Sequence, residues 1–151
     1  MRTHGLELPG YEISGLIHEN ARVRIYRGHS LKDREPVVIK ALVPETAGPN
    51  ELPRLIHGYE IARHLGTAEG VVPHLALERQ GSLTAVVMRD DGAVSLRELM
   101  REGVPFGADR FLPIAIGLAS VLAEIHRRGV IHLDVHPGNI LVSPDGRRVW
   151  L

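Results

Sequence analysis

The stretch Val130–Gly146, "VIHLDVHPGNILVSPDG", decides how the rest of the chain is read. It packs His132, Asp134, His136 and Asn139 into eight residues between runs of aliphatic side chains. At a spacing of two, His132, Asp134 and His136 would point the same way along an extended strand and offer nitrogen and oxygen ligands to a zinc-like ion, as in a metal hydrolase. Pro137 and Gly138 argue instead for a turn, and Asp and Asn are common turn caps. The other histidines, His4, His18, His29, His57, His64, His74 and His126, are scattered singly and give the metal reading no third strong ligand.

Outward from that stretch, composition narrows the field. The 151 residues hold 44% hydrophobic residues, and 18 Lys and Arg balance 18 Asp and Glu. That is enough for one ordinary domain or two small lobes. With no net charge and scattered arginines, no footprint for nucleic acid or an anionic membrane is expected. The longest uncharged apolar run, Phe111 to Ala123, is broken by Pro113 and falls short of the about 20 residues of a spanning helix. The opening "MRTHGLELPG" has no apolar segment after Arg2 and does not read as a secretory leader. The absence of cysteine excludes disulfides and thiolate metal sites and permits a cytoplasmic location, which is the expectation.

Local patterning gives an order of elements. "YEISGLI", "RVRIYRG" and "PVVIKAL" read as three strands of an antiparallel meander, with Val23 and Ile25 alternating with Arg22 and Arg24. A loop with Pro44, Gly48, Pro49 and Pro53 leads to a helix, with Asn50 as N-cap, Leu52, Leu55, Ile56, Tyr59 and Ala62 at helical spacing, and Gly66 as its stop. "VVPHLALER" and "LTAVVMR" read as further strands, and "SLRELM" as a short helix capped by Ser95. Asp109–Arg128 is the strongest element: Leu112, Ala115, Ala119, Leu122 and His126 form one stripe and Ile114, Leu118, Val121 and Ile125 another. A helix apolar nearly all round is expected to be buried on most sides. "NILV", "SPDG" and "RRVWL" close as a hairpin. A small α+β domain satisfies this order without any special function.

His132, Asp134, Pro137 and Asn139, followed by "ILV", resemble the catalytic loop of protein kinases and related phosphotransferases, H-R-D-x-x-x-x-N. Weaker matches precede it in the same order. "YEISGLIHENARVRIYRG" resembles the glycine-rich hairpin, "VVIK" the strand ending in the ATP-orienting lysine, and "AVVMRDDGAVSLRELM" the segment joining the two lobes. "AIGLASVLAEIHRRGVIHLD" is similar to the central helix entering the loop. The likeness runs from Tyr11 to Leu151 and is nearest to bacterial serine/threonine kinase domains at the head of larger signalling proteins.

That resemblance implies an α+β, protein kinase-like fold. Residues 1–10 would be an N-terminal segment, 11–91 the antiparallel-sheet N-lobe with one helix, and 92–151 the start of the helical C-lobe. It also implies roles. Asp134 would orient the acceptor hydroxyl, Asn139 would hold Mg2+, and Lys40 would contact the α- and β-phosphates of ATP. Ile17, Ile25 and Val38 would line the adenine pocket, with Met88 at its back. The implied partners are ATP, a protein substrate and the downstream domains of a larger protein.

The pattern also breaks. The family's three hairpin glycines fall on His18, Asn20 and Val23, where side chains hinder close approach to phosphate. Arg22 and Arg24 offer side-chain charge there instead, unless they form only a solvated face. The helix glutamate that pairs with the strand lysine falls on Gly58. Glu60, two residues along, is rotated by about 200° and is no simple substitute. Leu133 replaces the arginine that couples to a phosphorylated activation segment, and His136 replaces a lysine. The D-F-G motif is not among these residues, so the 151 residues alone are expected not to phosphorylate. Two alternatives remain open. The loop also resembles H-G-D-x-H-P-G-N of aminoglycoside and choline kinase-type enzymes, and the lost glycines with Gly58 suit a pseudokinase or regulatory module.

Overall fold

A computed structural model describes residues 6–43, 46, 48–101 and 107–151. Pro44 of the expected loop and His4 lie outside the described residues. The chain divides into two units, Met1–Arg63 with Pro73–Asp90, and His64–Val72 with Asp91–Leu151.

The first unit is built on strands β1 (Tyr11–Glu19), β2 (Val23–Ser30), β3 (Pro36–Leu42), β4 (His74–Gln80) and β5 (Leu83–Arg89), with helix α1 (Glu51–Leu65) between β3 and β4. They form one antiparallel sheet in the order β1-β2-β3-β5-β4. Because side chains alternate across a strand, pairing register decides which residues share a face. Tyr26 pairs with Ile39, and Ile39 with Val87. These residues, with Leu8, Val37, Ala41 and Ala85, form a core on one face, where Ile39 is fully buried. Each buried valine, leucine or isoleucine of this core contributes about 1.5–3 kcal/mol. On the opposite face Leu42, Leu55 and Val86 form a second core with Val23, Tyr59, Leu77 and Met88, so that α1 packs there through Leu55 and Tyr59.

Helix α1 follows the expected spacing. The Asn50 carbonyl accepts from Arg54 N–H at 3.2 Å, the bond that defines the N-cap position. Gly66, at φ +58°, ends the helix in the left-handed conformation that glycine adopts without strain. The strand expected from Val71 starts only at His74. Val72 N–H donates instead to Leu151 O at 3.3 Å, and Leu151 N–H to Gly70 O at 2.9 Å, which commits that segment to the second unit.

The second unit holds β6 (Val94–Ser95), α2 (Leu96–Arg101), α3 (Ala108–Arg127), β7 (Leu141–Val142) and β8 (Val149–Trp150). Ser95 caps α2 as expected, its hydroxyl oxygen accepting Glu98 N–H at 3.2 Å. The short sheet runs β6-β7-β8, and Val142 and Val149 pack with Leu99, Ile114 and Ile140. The hairpin is shorter than "NILV" and "RRVWL" imply, because Asn139 N–H is taken by His136 O at 2.9 Å and stays in the loop. Gly70, at φ +77°, lies against α3, where an added Cβ would come within 2.0 Å of Val121 Cγ2.

Burial of α3 is one-sided, as expected where no other part of these 151 residues supplies the helices that would surround it. Ile114, Val121 and Ile125 are buried, from the second stripe, whereas Phe111, Leu112 and Ile116 are exposed. Among the described residues, the short sheet and the Gly70 segment meet one side of the helix, and one side is all they cover.

Candidate active site

The residues singled out in the sequence fall into two sets, one in each unit. In the first, Ile25 pairs with Lys40, Val38 with Met88, and Lys40 with Val86. Directly opposed residues share a face. Ile25, Val38, Lys40 and Met88 therefore stand together on the face that carries α1, and β3 brings Lys40 up between Val38 and Leu42. Ile17 does not join this register: it sits in a β-bulge between Leu16 and His18 and is 43% exposed. Gly58 is exposed on α1 and has no carboxylate to offer.

The β1–β2 hairpin tip is closed by its own side chain. Asn20 Oδ1 accepts the N–H groups of Arg22 and Val23, both at 2.9 Å, and Asn20 N–H donates to Val23 O at 3.0 Å. Backbone N–H groups that a glycine-rich tip presents to phosphate are here used internally. Val23 itself is packed in the core beside Leu42. Arg24 pairs with Ala41, which puts it on the face opposite Lys40, and its Nε lies 2.6 Å from Glu19. Arg22 reaches Glu51 at 3.2 Å. Both arginines are thus engaged by carboxylates.

In the second unit, Asp134 and Asn139 come together. Asn139 Nδ2 donates to the Asp134 backbone oxygen at 3.0 Å and to its Oδ2 at 2.9 Å. This orients the amide, leaving Asn139 Oδ1 as its acceptor face. An amide oxygen left open in this way is a hard-oxygen donor of the kind magnesium takes, so Asn139 fits the ion that the resemblance implies. The loop is pinned at several further points. Arg97 N–H donates to Pro137 O at 2.9 Å, Leu96 N–H to Ile140 O at 2.8 Å, and Asp134 N–H to His132 Nδ1 at 3.3 Å. Leu133 takes φ +62°, which is costly for a leucine, and is 89% exposed.

His132, Asp134 and His136 do not assemble as a metal triad. Among the described residues no group of three or more His, Asp or Glu side chains is placed to hold an ion. Nor is any described helix long and apolar enough to cross a membrane.

Two side-chain relationships were not anticipated from the sequence. Arg27 on β2 meets Asp90 just past β5, and Arg97 on α2 meets the His136 ring at 3.4 Å. Both join residues far apart in the chain, and a local pattern carries no signal for them.

Residues 13–149 match the family described as protein tyrosine and serine/threonine kinase. The chain is 33% identical over 118 residues to the probable serine/threonine-protein kinase PkwA of Thermomonospora curvata, covering 76% of this chain and 15% of that protein. It is 29% identical over 138 residues to the serine/threonine-protein kinase PknL of Mycobacterium tuberculosis, covering 90% of this chain and 34% of that one. The chain therefore spans about a third or less of these curated relatives. Among solved structures it is similar to the kinase domain of M. tuberculosis PknI, with a TM-score of 0.76 at 20% identity, over 100% of this chain and 60% of that one.

Proposed function

The chain belongs to the protein tyrosine and serine/threonine kinase family and has its fold, and from that premise we propose that it serves ATP-dependent phosphoryl transfer to a serine or threonine hydroxyl of a protein. The observation that carries this reading is the Asp134–Asn139 pair, bonded at 2.9 Å with the amide oxygen turned outward. Phosphoryl transfer asks the protein chiefly for positioning and charge neutralisation. Asp134 orients the acceptor hydroxyl, Asn139 Oδ1 takes magnesium, and Lys40 binds the α- and β-phosphates. Ile25, Val38 and Met88 give the adenine an apolar surface, and Ile17 at the bulge adds to it. Bound magnesium neutralises developing charge on the phosphates.

Residues 11–91 act as the N-lobe and 92–151 as the opening of the C-lobe, and the D-F-G aspartate is not among them. Transfer is accordingly expected of a longer protein carrying this chain. The family match and the PkwA and PknL relatives weigh against an aminoglycoside or choline kinase-type acceptor.

One observation favours a second reading, a pseudokinase or regulatory module. Asn20 Oδ1 already occupies the hairpin N–H groups that would otherwise bind phosphate. Thermal stability of a longer protein carrying the chain, measured with ATP and with or without magnesium, separates the two. Ligand at about 100 times its Kd stabilises by about 2.7 kcal/mol, so the kinase reading expects a magnesium-dependent rise that Lys40→Met and Asn139→Ala remove. No response to ATP in that wild-type protein would favour the pseudokinase.

A further inference from the structure

His136 stands where serine/threonine kinases carry a lysine, and its ring is seated through one nitrogen by two groups. Its Nδ1 accepts Gly138 N–H at 3.0 Å, and the Arg97 guanidinium approaches the same nitrogen at 3.4 Å. With Nδ1 serving as acceptor, the proton of the neutral ring is on Nε2. That nitrogen lies 3.6 Å from Asp134 Oδ2. Gly138 makes room for the arrangement: a Cβ there would meet His136 Cε1 at 2.9 Å, His136 Nδ1 at 3.1 Å and Arg97 Cζ at 3.2 Å.

The consequence concerns which oxygen of Asp134 is available. Oδ2 already accepts a hydrogen bond from Asn139 Nδ2 at 2.9 Å, and His136 Nε2 lies 3.6 Å from the same atom. The contact is longer than a direct hydrogen bond, and catalytic contacts of this kind tighten when substrate binds. Because the Asp134 side chain is 73% exposed, a carboxylate with one anchor would be free to swivel. The Asn139 bond to Oδ2, with the His136 ring 3.6 Å from the same atom, limits that swivel and leaves Oδ1 clear of both groups.

We propose that His136, seated by Gly138 and Arg97, is a positioning residue that acts through Asp134 Oδ2 to present Asp134 Oδ1 to the acceptor hydroxyl. The role assigned to Oδ1 rests on the phosphoryl-transfer reading. The seating of His136 and its hold on Asp134 do not.

Asn and Gln at position 136 separate this from a purely structural role. Asn places a carbonyl near Nδ1 and keeps the acceptor for Gly138; Gln reaches the Nε2 position and restores the donor toward Asp134. The first readout is NMR hydrogen exchange of the Asn139 side-chain amide in this chain, since that amide bonds the same carboxylate. His136→Asn is expected to speed exchange about tenfold, and His136→Gln to stay within about twofold of wild type. Arg97→Ala, which loosens the ring seat, should fall between them. In a longer, active protein carrying the chain, His136→Asn should lower kcat about tenfold with KM for ATP unchanged, and His136→Gln should recover most of it. If Asn and Gln give equal exchange rates, His136 only closes the turn and the proposal is overturned. If the wild-type protein transfers no phosphate, the kinase reading falls while the exchange comparison still decides whether His136 holds Asp134.

Discussion

Arg27 Nε lies 2.5 Å from Asp90 Oδ2, and the Asp90 side chain is only 7% exposed while that of Arg27 is 43% exposed. The N–H is not aligned as a hydrogen bond, so the contact is an ion pair held by proximity. Asp90 N–H also donates to Pro36 O at 3.0 Å, which ties the end of β5 to the start of β3. Arg27 is opposite Val38 and so shares the Lys40 face. The pair thus stands on the face that also carries Lys40 and joins β2 to the end of β5 there.

Removing one partner of a nearly buried pair leaves a charge without compensation, at a cost of several kcal/mol in a dry interior. Half-exposure of Arg27 lets water recover part of it. Asp90→Asn is therefore expected to lower stability by about 1–3 kcal/mol, read by urea unfolding of the chain. Glu12→Gln, which breaks the exposed Arg34–Glu12 pair with side chains 66% and 56% exposed, should change it by less than about 0.5 kcal/mol. Equal losses in the two variants would refute the burial argument.

What was legible in the sequence was whatever local pattern encodes. Short apolar runs rich in valine gave β3 and β5 to the residue, Gly66 marked the end of α1, and Ser95 marked the start of α2. Asp134 and Asn139 were legible through the resemblance of their loop to H-R-D-x-x-x-x-N, since by spacing alone an aspartate and an asparagine in a turn read as loop caps. Partnerships between distant segments were not. Val72 follows Leu151 rather than β4, Arg24 turns away from Lys40 because of its register with Ala41, and Ile17 leaves the register at a bulge. Nothing in "HENARV" alone says that Asn20 will accept two N–H groups. That depends on how tightly β1 and β2 close.

Acid should weaken the second unit through two carboxylates. Glu124 is held below its ordinary value of 4.5 by its hydrogen bond from Arg128, aided by the charge of Arg127. Asp145 is held below 3.8 by the Ser143 hydroxyl and by Arg147 N–H. A carboxyl group with a lowered folded-state pKa contributes stability that is fully present above its unfolded value and is lost as pH falls through the folded value. The loss is thus expected to begin below about pH 4.5 and to continue through lower pH. Glu124→Gln should flatten that part of a stability-against-pH curve, measured by urea unfolding at fixed ionic strength. An unchanged slope in Glu124→Gln would show that the Arg128 bond adds nothing to acid sensitivity.

Two neighbouring isoleucines of α3 give opposite expectations. Ile114 is 4% exposed and packs with Leu99, Val142 and Val149, whereas Ile116 is 64% exposed beside Leu112 at 52% and Phe111 at 55%. Truncating the buried residue, Ile114→Ala, removes apolar contact and leaves a cavity, for an expected loss of about 2–4 kcal/mol. At the exposed position, Ile116→Lys removes no core contact and should alter stability by less than about 0.5 kcal/mol. It does break a contiguous apolar strip, the kind of surface that drives association. Light scattering over a concentration series should accordingly show less self-association for Ile116→Lys than for wild type. If Ile116→Lys instead unfolds the chain as Ile114→Ala does, that face of α3 is part of the core in solution, and the exposure assigned to Phe111, Leu112 and Ile116 is wrong.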